Sequence, residues 1–316
     1  MVITVTLNPC VDRTIEVEKF QYGGTNKVLM TRNDISGKGI NVNLVLQHLG
    51  IENLATGFDY QEDTKKLTGF LDRLGCRYKL EPVEGSLRVN VKIFDCATSV
   101  MSEFNERGSA VTAENVDSFL KLLYTQMDLA SVIVVDGSVP PGVPEDIYER
   151  IIEEAGKKGL KTILDASGEL LKKGIKAKPF LIKPNQDELG ATYGVAVQNL
   201  DDIIRTARKV IEEGVTYVCV SRGSQGAVLV SKEHVYVAEP LTVDIKGIQG
   251  AGDSMVAGFC YAIEKGMNET DLLRHAVACA TGSLLHPGTQ LCEKEDMEAM
   301  LSRVRIVEVW VVSSNL

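Results

Sequence analysis

Gly250-Ala251-Gly252-Asp253 sets a carboxylate beside a run of small residues, where an apolar stretch gives way to an amphipathic helical pattern. Glycines let backbone N–H groups approach an anion closely, and the first amides of a helix lack internal partners and carry the positive end of its dipole. Such a turn holds negative charge. A carboxylate there opposes an incoming phosphate unless it takes a proton from the hydroxyl that attacks that phosphate, so the pairing points to phosphoryl transfer. The plainer alternative is that Asp253 caps a helix from Ser254 to Glu264, whose Val256, Phe259, Cys260 and Ile263 recur at helical spacing before Gly266.

Other segments could serve such a centre. Ser36-Gly37-Lys38-Gly39-Ile40-Asn41 is a second glycine turn opening a helix, with a lysine between the glycines and an amide one turn on. It suits a polar, anionic ligand, or is a tight turn with a solvated lysine. Neither a P-loop nor the dinucleotide fingerprint G-x-G-x-x-G occurs. Asp12, in Asn8-Pro9-Cys10-Val11-Asp12, is expected at the carboxyl end of the first strand, as an acceptor for vicinal hydroxyls or a turn residue. Lys27 lies in Thr14–Ser36, which shows no convincing helix, and Arg88 in Leu87–Phe104, which alternates as a strand does; there they suit a substrate phosphate or a solvated strand face.

Lys183-Pro184-Asn185-Gln186-Asp187-Glu188 ends a strand and starts a helix with the spacing of a capping box, Asn185 to Glu188. Beyond capping, Asn185 and Glu188 could orient waters on Mg²⁺, with Lys183 near nucleotide phosphates. Ser221-Arg222-Gly223-Ser224-Gln225-Gly226 is a strand-end turn suited to backbone contact with a nucleotide, or simply a hairpin.

The elements that must position these residues alternate. Apolar, β-branched runs at Val2–Leu7, Asn53–Phe58, Val132–Asp136, Thr162–Asp165, Phe180–Ile182, Tyr217–Ser221 and Ala227–Val230 are separated by helical patterns. Those patterns lie near Ile40–Leu49, Thr64–Leu74, Ala113–Met127, Glu145–Lys157, Asp201–Glu213, Asp253–Glu264 and Thr270–Leu285. This predicts a three-layer α/β/α sandwich with a mostly parallel central sheet, ligands gathering at the carboxyl ends of its strands. Thr14–Ser36 and Leu87–Phe104 break the pattern and read as a small separate β-sheet, a lid over the site, or as a hairpin at the sheet edge. Arg305–Leu316, with the only tryptophan, Trp310, reads as an edge strand followed by a frayed end.

Composition narrows the partners. With 316 residues and 44% hydrophobic content the chain can bury a large core, and its formal charge of −9 argues against general attraction to nucleic acid or anionic membrane. Seven scattered cysteines without a C-x-x-C pair fit buried thiols in a reducing cytoplasm better than a zinc site or a disulfide framework. No run approaches the ~18 apolar residues of a membrane span.

Together and in this order, these segments resemble the ribokinase-like (PfkB-type) carbohydrate kinases from about Val2 to Val309. Thr6-Leu7-Asn8-Pro9 with Asp12, Gly37-Lys38-Gly39 with Asn41, and Gly137-Ser138-Val139-Pro140-Pro141-Gly142 resemble the branch that phosphorylates hexose monophosphates. The resemblance implies one kinase domain over residues 1–316, lid strands inserted at about 13–36 and 87–105, and a homodimer formed through the lid. It implies ATP and Mg²⁺ as cofactors. Asp253 is then the base, Gly250, Ala251 and Gly252 supply amides to the transferring group, and Asp12, Gly37, Lys38 and Asn41 hold the sugar. Lys27 and Arg88 bind its existing phosphate, while Lys183, Asn185, Glu188, Ser221, Gly223 and Gly226 serve nucleotide and metal.

The expected reaction is phosphorylation of fructose 1-phosphate at its 6-hydroxyl; tagatose 6-phosphate, taking the group at its 1-hydroxyl, is the alternative. A nucleoside acceptor would leave Lys27, Lys38 and Arg88 without a phosphate to neutralise. A non-catalytic sugar-phosphate sensor would not need Asp253, and a nicotinamide oxidoreductase should carry its glycine fingerprint after the first strand, where Asn8-Pro9-Cys10 stands.

Overall fold

Val-Ile-Thr-Val-Thr near the amino terminus forms strand β1 (Val2–Thr6), with all five residues buried. Continuous burial of a β-branched run is what a central strand covered on both faces demands. The computed structural model describes residues 1–288 and 290–309, and among them the chain continues as β2 (Cys10–Val17), β3 (Val28–Ser36), α1 (Lys38–His48), β4 (Asn53–Tyr60), α2 (Thr64–Arg73) and β5 (Tyr78–Val83). Then come β6 (Arg88–Asp95), β7 (Val100–Asn105), α3 (Ala113–Met127), β8 (Val132–Asp136), α4 (Ile147–Lys157), β9 (Lys161–Asp165), α5 (Gly168–Lys176), β10 (Leu181–Ile182) and α6 (Gln186–Tyr193). The last part runs through α7 (Leu200–Glu212), β11 (Tyr217–Ser221), β12 (Ala227–Val230), β13 (Val235–Ala238), α8 (Ala251–Glu264), α9 (Glu269–Ser283), α10 (Lys294–Leu301) and β14 (Ile306–Glu308).

Ten strands form one sheet in the order β14-β13-β12-β11-β10-β9-β8-β1-β4-β5. From β11 to β5 the pairs are parallel, and β12, β13 and β14 close the opposite edge antiparallel. Helices α1, α8, α9 and α10 pack together as one layer and α3 to α7 as another, so the three-layer, mostly parallel arrangement expected from the sequence is what forms. The strand order turns back at β1, which pairs with β4 on one side and β8 on the other. A crevice opens where the order reverses in such sheets, and the site lies there.

The second sheet has four strands, ordered β3-β2-β6-β7. It is separate from the main sheet, as the alternation predicted, but begins at Cys10 rather than near residue 13. Asp12 therefore lies within β2, opposite Asn90 and Asp34, and not at the carboxyl end of β1. The three residues Leu7-Asn8-Pro9 carry the chain directly from β1 into this sheet.

Four further elements, β5, α5, β13 and α10, are not among those expected from the sequence. α10 is eight residues long with only Met297 and Met300 buried, too short to print a pattern. At the carboxyl end, β14 pairs antiparallel with β13 as the edge strand. Trp310 and the rest of the tail lie outside the described residues, as does Thr289.

Candidate active site

Helix α8 begins at Ala251, and its N-cap is Gly250, at φ 73°, where a Cβ would lie 2.2 Å from Leu291 Cδ2. A residue with a side chain could neither adopt that turn cheaply nor fit under Leu291. The first helical hydrogen bond runs from Ser254 N–H to Gly250 O at 2.8 Å. The amides of Ala251, Gly252 and Asp253 thus have no acceptor in the helix, which is the arrangement that receives an anion.

Asp253 does not cap this helix. It sits in the first turn, 8% exposed, and its Oδ2 accepts a 2.8 Å hydrogen bond from Asn41 Nδ2 of α1. The two glycine turns of the sequence, more than two hundred positions apart, therefore meet through one side-chain contact. Burial raises the Asp253 carboxyl above its ordinary range; the Lys38 charge and the Asn41 hydrogen bond pull against it, and Asp165 adds to the rise.

Behind these groups lies a row of charges that the sequence motifs disclosed only in part. Asp165, at the end of β9 and 1% exposed, takes both nearby ammonium groups: Lys38 Nζ at 3.1 Å and Lys183 Nζ at 3.2 Å. Burial alone would raise its pKa, but Lys183 and Lys38 together hold it below the usual value. Lys38 is correspondingly raised, against its own desolvation, first by Asp165 and then by Asp253 and Asp136. Lys183 also stands beside the anion turn, since a Cβ on Gly252 would lie 3.5 Å from its Nζ.

A cavity of about 590 Å³ opens over this row. Its walls include Gly37, Lys38, Asn41, Gly250, Gly252, Asp253 and Glu188 on the main-sheet side, and Asp12, Arg88, Asn90, Lys92, Glu103 and Asn105 on the small sheet. Parallel pairing sets Cys10, Asp12 and Thr14 beside Arg88, Asn90 and Lys92, which gives that sheet a polar face toward the cavity.

On that face Asp12 Oδ2 receives Lys92 Nζ at 2.9 Å, and its Oδ1 accepts from Asn90 Nδ2 at 3.1 Å and from the Cys10 thiol at 3.4 Å. Burial would raise Asp12, yet the Lys92 charge and these hydrogen bonds hold its carboxyl below the ordinary value. Burial, followed by the Asp12 charge, pushes Cys10 up to about 12, so the thiol keeps the proton it donates. Arg88 is spent largely on main chain, donating through Nε to Asn8 O and through Nη1 to Glu106 O, each at 3.1 Å.

The structure does not bring every expected residue to these walls. Lys27 is exposed and outside them. Lys92 and Asn90 stand on the polar face instead, on the strand that begins with Arg88. Alternation along Arg88-Val89-Asn90-Val91-Lys92 was the signal that could have found them: three polar residues at period two. Ala251 is not among the residues that line the cavity.

The remaining candidates cluster at the ends of β10 and β11. Asn185 and Glu188 form a reciprocal capping box, Asn185 N–H donating to Glu188 Oε2 and Glu188 N–H to Asn185 Oδ1, both at 2.8 Å. Asn185 also bridges to Ser221. Gly223 (φ 54°) and Gly226 (φ 85°) shape the turn that follows, and a Cβ on Gly226 would lie 2.1 Å from Ala238 O. Among the described residues no three His, Cys, Asp or Glu side chains are grouped to hold a metal directly. One oxygen each of Asn185 and Glu188 is already committed, so these two fit a hydrated cation held through water rather than a direct ligand cage.

A parallel-sheet crevice with an unpaired helix terminus, a buried carboxylate and two lysines is the equipment of a group-transfer enzyme that handles phosphate. Residues 5–296 match the family model for pfkB family carbohydrate kinases, and the chain belongs to that family, whose members are phosphotransferases that use ATP and an alcohol acceptor. It is 33% identical to the 1-phosphofructokinase of Bacillus subtilis over 309 residues, covering 98% of this chain and 100% of that one. The 1-phosphofructokinase of Escherichia coli K12 is 31% identical over 96% of this chain and 97% of its own length. Among solved structures, Escherichia coli phosphofructokinase-2 in complex with substrates and products superposes with a TM-score of 0.87 at 26% identity, covering 96% and 98% of the two chains. A candidate 1-phosphofructokinase of Thermotoga maritima gives 0.89 at 28%, over 98% and 100%.

Proposed function

We propose that the chain transfers the γ-phosphoryl group of ATP to the 6-hydroxyl of fructose 1-phosphate, giving fructose 1,6-bisphosphate and ADP. The observation that carries this reading is the Asn41–Asp253 contact, which holds a buried carboxylate in the first turn of a helix whose leading amides are free. Full-length similarity to proteins named 1-phosphofructokinase supports the choice of sugar.

In this mechanism Asn41 aims the Asp253 carboxylate at the acceptor hydroxyl, and the hydroxyl proton passes to it as the oxygen attacks phosphorus. The amides of Gly250, Ala251, Gly252 and Asp253 stabilise the equatorial oxygens of the migrating group, and Lys38 and Lys183 neutralise charge beside them. Transition states of this kind are loose, so alignment and charge stabilisation outweigh proton removal in energy. Asp12 accepts from sugar hydroxyls, and Arg88 with Lys92 binds the existing phosphate, Lys92 standing where Lys27 was expected. Lys183, Ser221, Gly223 and Gly226 border the nucleotide. Asn185 and Glu188 would hold Mg²⁺ through water, and the ion would shield the phosphate charges of ATP.

The chain acts as one domain, its four-stranded sheet serving as a lid that keeps water from competing with the sugar hydroxyl. The outer face of that sheet carries Val11, Val89, Val91 and Ile93 half-buried and Phe104 57% exposed, which supports association of two lids into a homodimer. Sedimentation near twice 34.5 kDa is the expected result, and a monomer at micromolar concentration removes that part of the reading. Seven free cysteines suit a reducing cytoplasm; no described helix is long and apolar enough to cross a membrane.

The deciding experiment measures ADP release with fructose 1-phosphate, tagatose 6-phosphate and fructose 6-phosphate at saturating ATP and Mg²⁺. A kcat/KM for fructose 1-phosphate at least ~10-fold above the others is expected, a difference of about 1.4 kcal/mol in transition-state binding. A preference for either other sugar reassigns the substrate, and no turnover with any of them refutes the activity.

A further inference from the structure

Asp136 ends β8 beside the point where the strand order reverses, lines the cavity and is 2% exposed. Neither of its carboxylate oxygens has a hydrogen-bond partner among the described residues. Its backbone is fixed, because the Tyr148 hydroxyl donates to its carbonyl oxygen at 2.7 Å. The main chain that carries the carboxylate is therefore held while the carboxylate oxygens are left open. A buried polar group without a partner is costly, and a binding site is where such a group is retained.

The neighbours narrow what completes it. Lys38 and Lys183 pair with Asp165, at 3.1 and 3.2 Å, so that their charges act on Asp136 without either forming an ion pair with it. On one flank α1 closes in: a Cβ on Gly39 would lie 2.9 Å from Asp136 Oδ1 and 2.5 Å from Thr6 Oγ1. The open side is the cavity. Burial first, and then the charges of Asp253 and Asp165, raise its carboxyl well above the ordinary range, with Lys38 and Lys183 opposing. Phosphate oxygens bring further negative charge toward Asp253 and Asp165. A sugar hydroxyl brings a neutral donor and acceptor, which matches Asp136 in either protonation state.

Resting on the activity proposed above, we propose that Asp136 is a specificity-determining residue of the sugar subsite, hydrogen-bonded to a ring hydroxyl of the ketose phosphate that is not itself phosphorylated. No motif marked it, because in sequence it is merely the last residue of an apolar strand. Loss of that hydroxyl from the substrate would leave Asp136 buried and unpartnered, the circumstance in which binding sites reject an analogue most strongly.

The test is a cycle between side chain and substrate. Values of kcat/KM are measured for fructose 1-phosphate and its 3-deoxy and 4-deoxy analogues with the wild type, Asp136→Ala and Asp136→Asn. The wild type should lose at least ~10²-fold on one of the two analogues. Asp136→Ala should lose a similar factor on the parent sugar, yet discriminate that analogue from the parent by less than ~5-fold. Asp136→Asn keeps the shape and one acceptor, so a smaller coupling on the same hydroxyl is expected, and it decides the matter should the alanine variant not fold. Equal losses on all three sugars, or none, overturn the role of Asp136 alone if the wild type turns over fructose 1-phosphate. A wild type that phosphorylates no ketose phosphate overturns this proposal and the activity together.

Discussion

The two ends of the cavity are built by opposite means. At the end proposed to handle the phosphoryl group lie the main-chain amides at the start of α8, fixed by a glycine N-cap, with Lys38 and Lys183 anchored to one buried carboxylate. At the end proposed to hold the sugar lie side chains of the small sheet that are already bonded, Lys92 and Asn90 to Asp12 and Arg88 to the Asn8 and Glu106 main-chain carbonyls. The amides of the first end are preformed in the backbone and should lose function one group at a time. The second is a network, and removing one member strands its partner.

The largest effect should come from the phosphoryl end. Asp253→Asn keeps the shape and the contact with Asn41 but cannot take the proton, so kcat should fall by ~10³-fold, within the range for loss of a positioned base. Affinity for a non-hydrolysable ATP analogue, read by calorimetry, should change by less than ~3-fold, because the amides that meet the phosphate are untouched. Near-normal turnover by this variant removes Asp253 as the base and with it the functional contrast between the ends.

The sugar end should respond through both binding and stability. Lys92→Met leaves Asp12 buried without its cation, a change that typically costs about 3–5 kcal/mol. KM for the sugar phosphate should rise by ~10²-fold, the worth of one desolvated charge-assisted contact. Replacing both partners, Asp12→Leu with Lys92→Met, should restore stability but not affinity. Asp12 is held below its unfolded value, so it contributes stability that is present above pH ~4 and lost as pH falls through the lowered folded value. Chemical denaturation across that acid window should show this loss in the wild type and not in Lys92→Met. Simple additivity of the two single variants refutes the network.

The contrast also explains what the sequence could disclose. The phosphoryl end was legible because glycine turns at helix starts are local: Gly250–Asp253, Gly37–Asn41 and the Asn185–Glu188 box each declare their geometry within six residues. The alternation of buried strands and amphipathic helices made the layering legible for the same reason. The sugar end depends on which strand lies beside which. Asp12 was found as a residue, but its place in β2 follows from pairing with β6 some eighty positions on, which no local pattern carries. Lys92 was passed over in favour of Lys27 because charge alone could not say which lysine faces inward. Asp136 and Asp165 were read only as the polar ends of apolar strands, and their chemistry arises from being opposite one another in the β8–β9 register.

The smallest effect tests whether the anchored lysines tune the base as well as bind. Burial raises Asp253, and Lys38 is the foremost charge opposing that rise. The base must be ionised to act, so kcat/KM should fall on the acid side around a pKa above the ordinary carboxylate range. Lys38→Met removes the opposing charge, and the acid limb should move further toward neutral pH. In the plateau above that limb the variant should lose less than Asp253→Asn does, since Lys183 still stands beside the anion turn. Asp165, left with Lys183 as its one cation, is a second carboxylate that rises in the same variant, so the limb is read against Asp165→Asn measured alone. Asp165→Asn removes a negative neighbour of Asp253 and should move the limb the opposite way, toward lower pH. Limbs that shift together in both variants, or in neither, break the electrostatic link between the lysine row and the base.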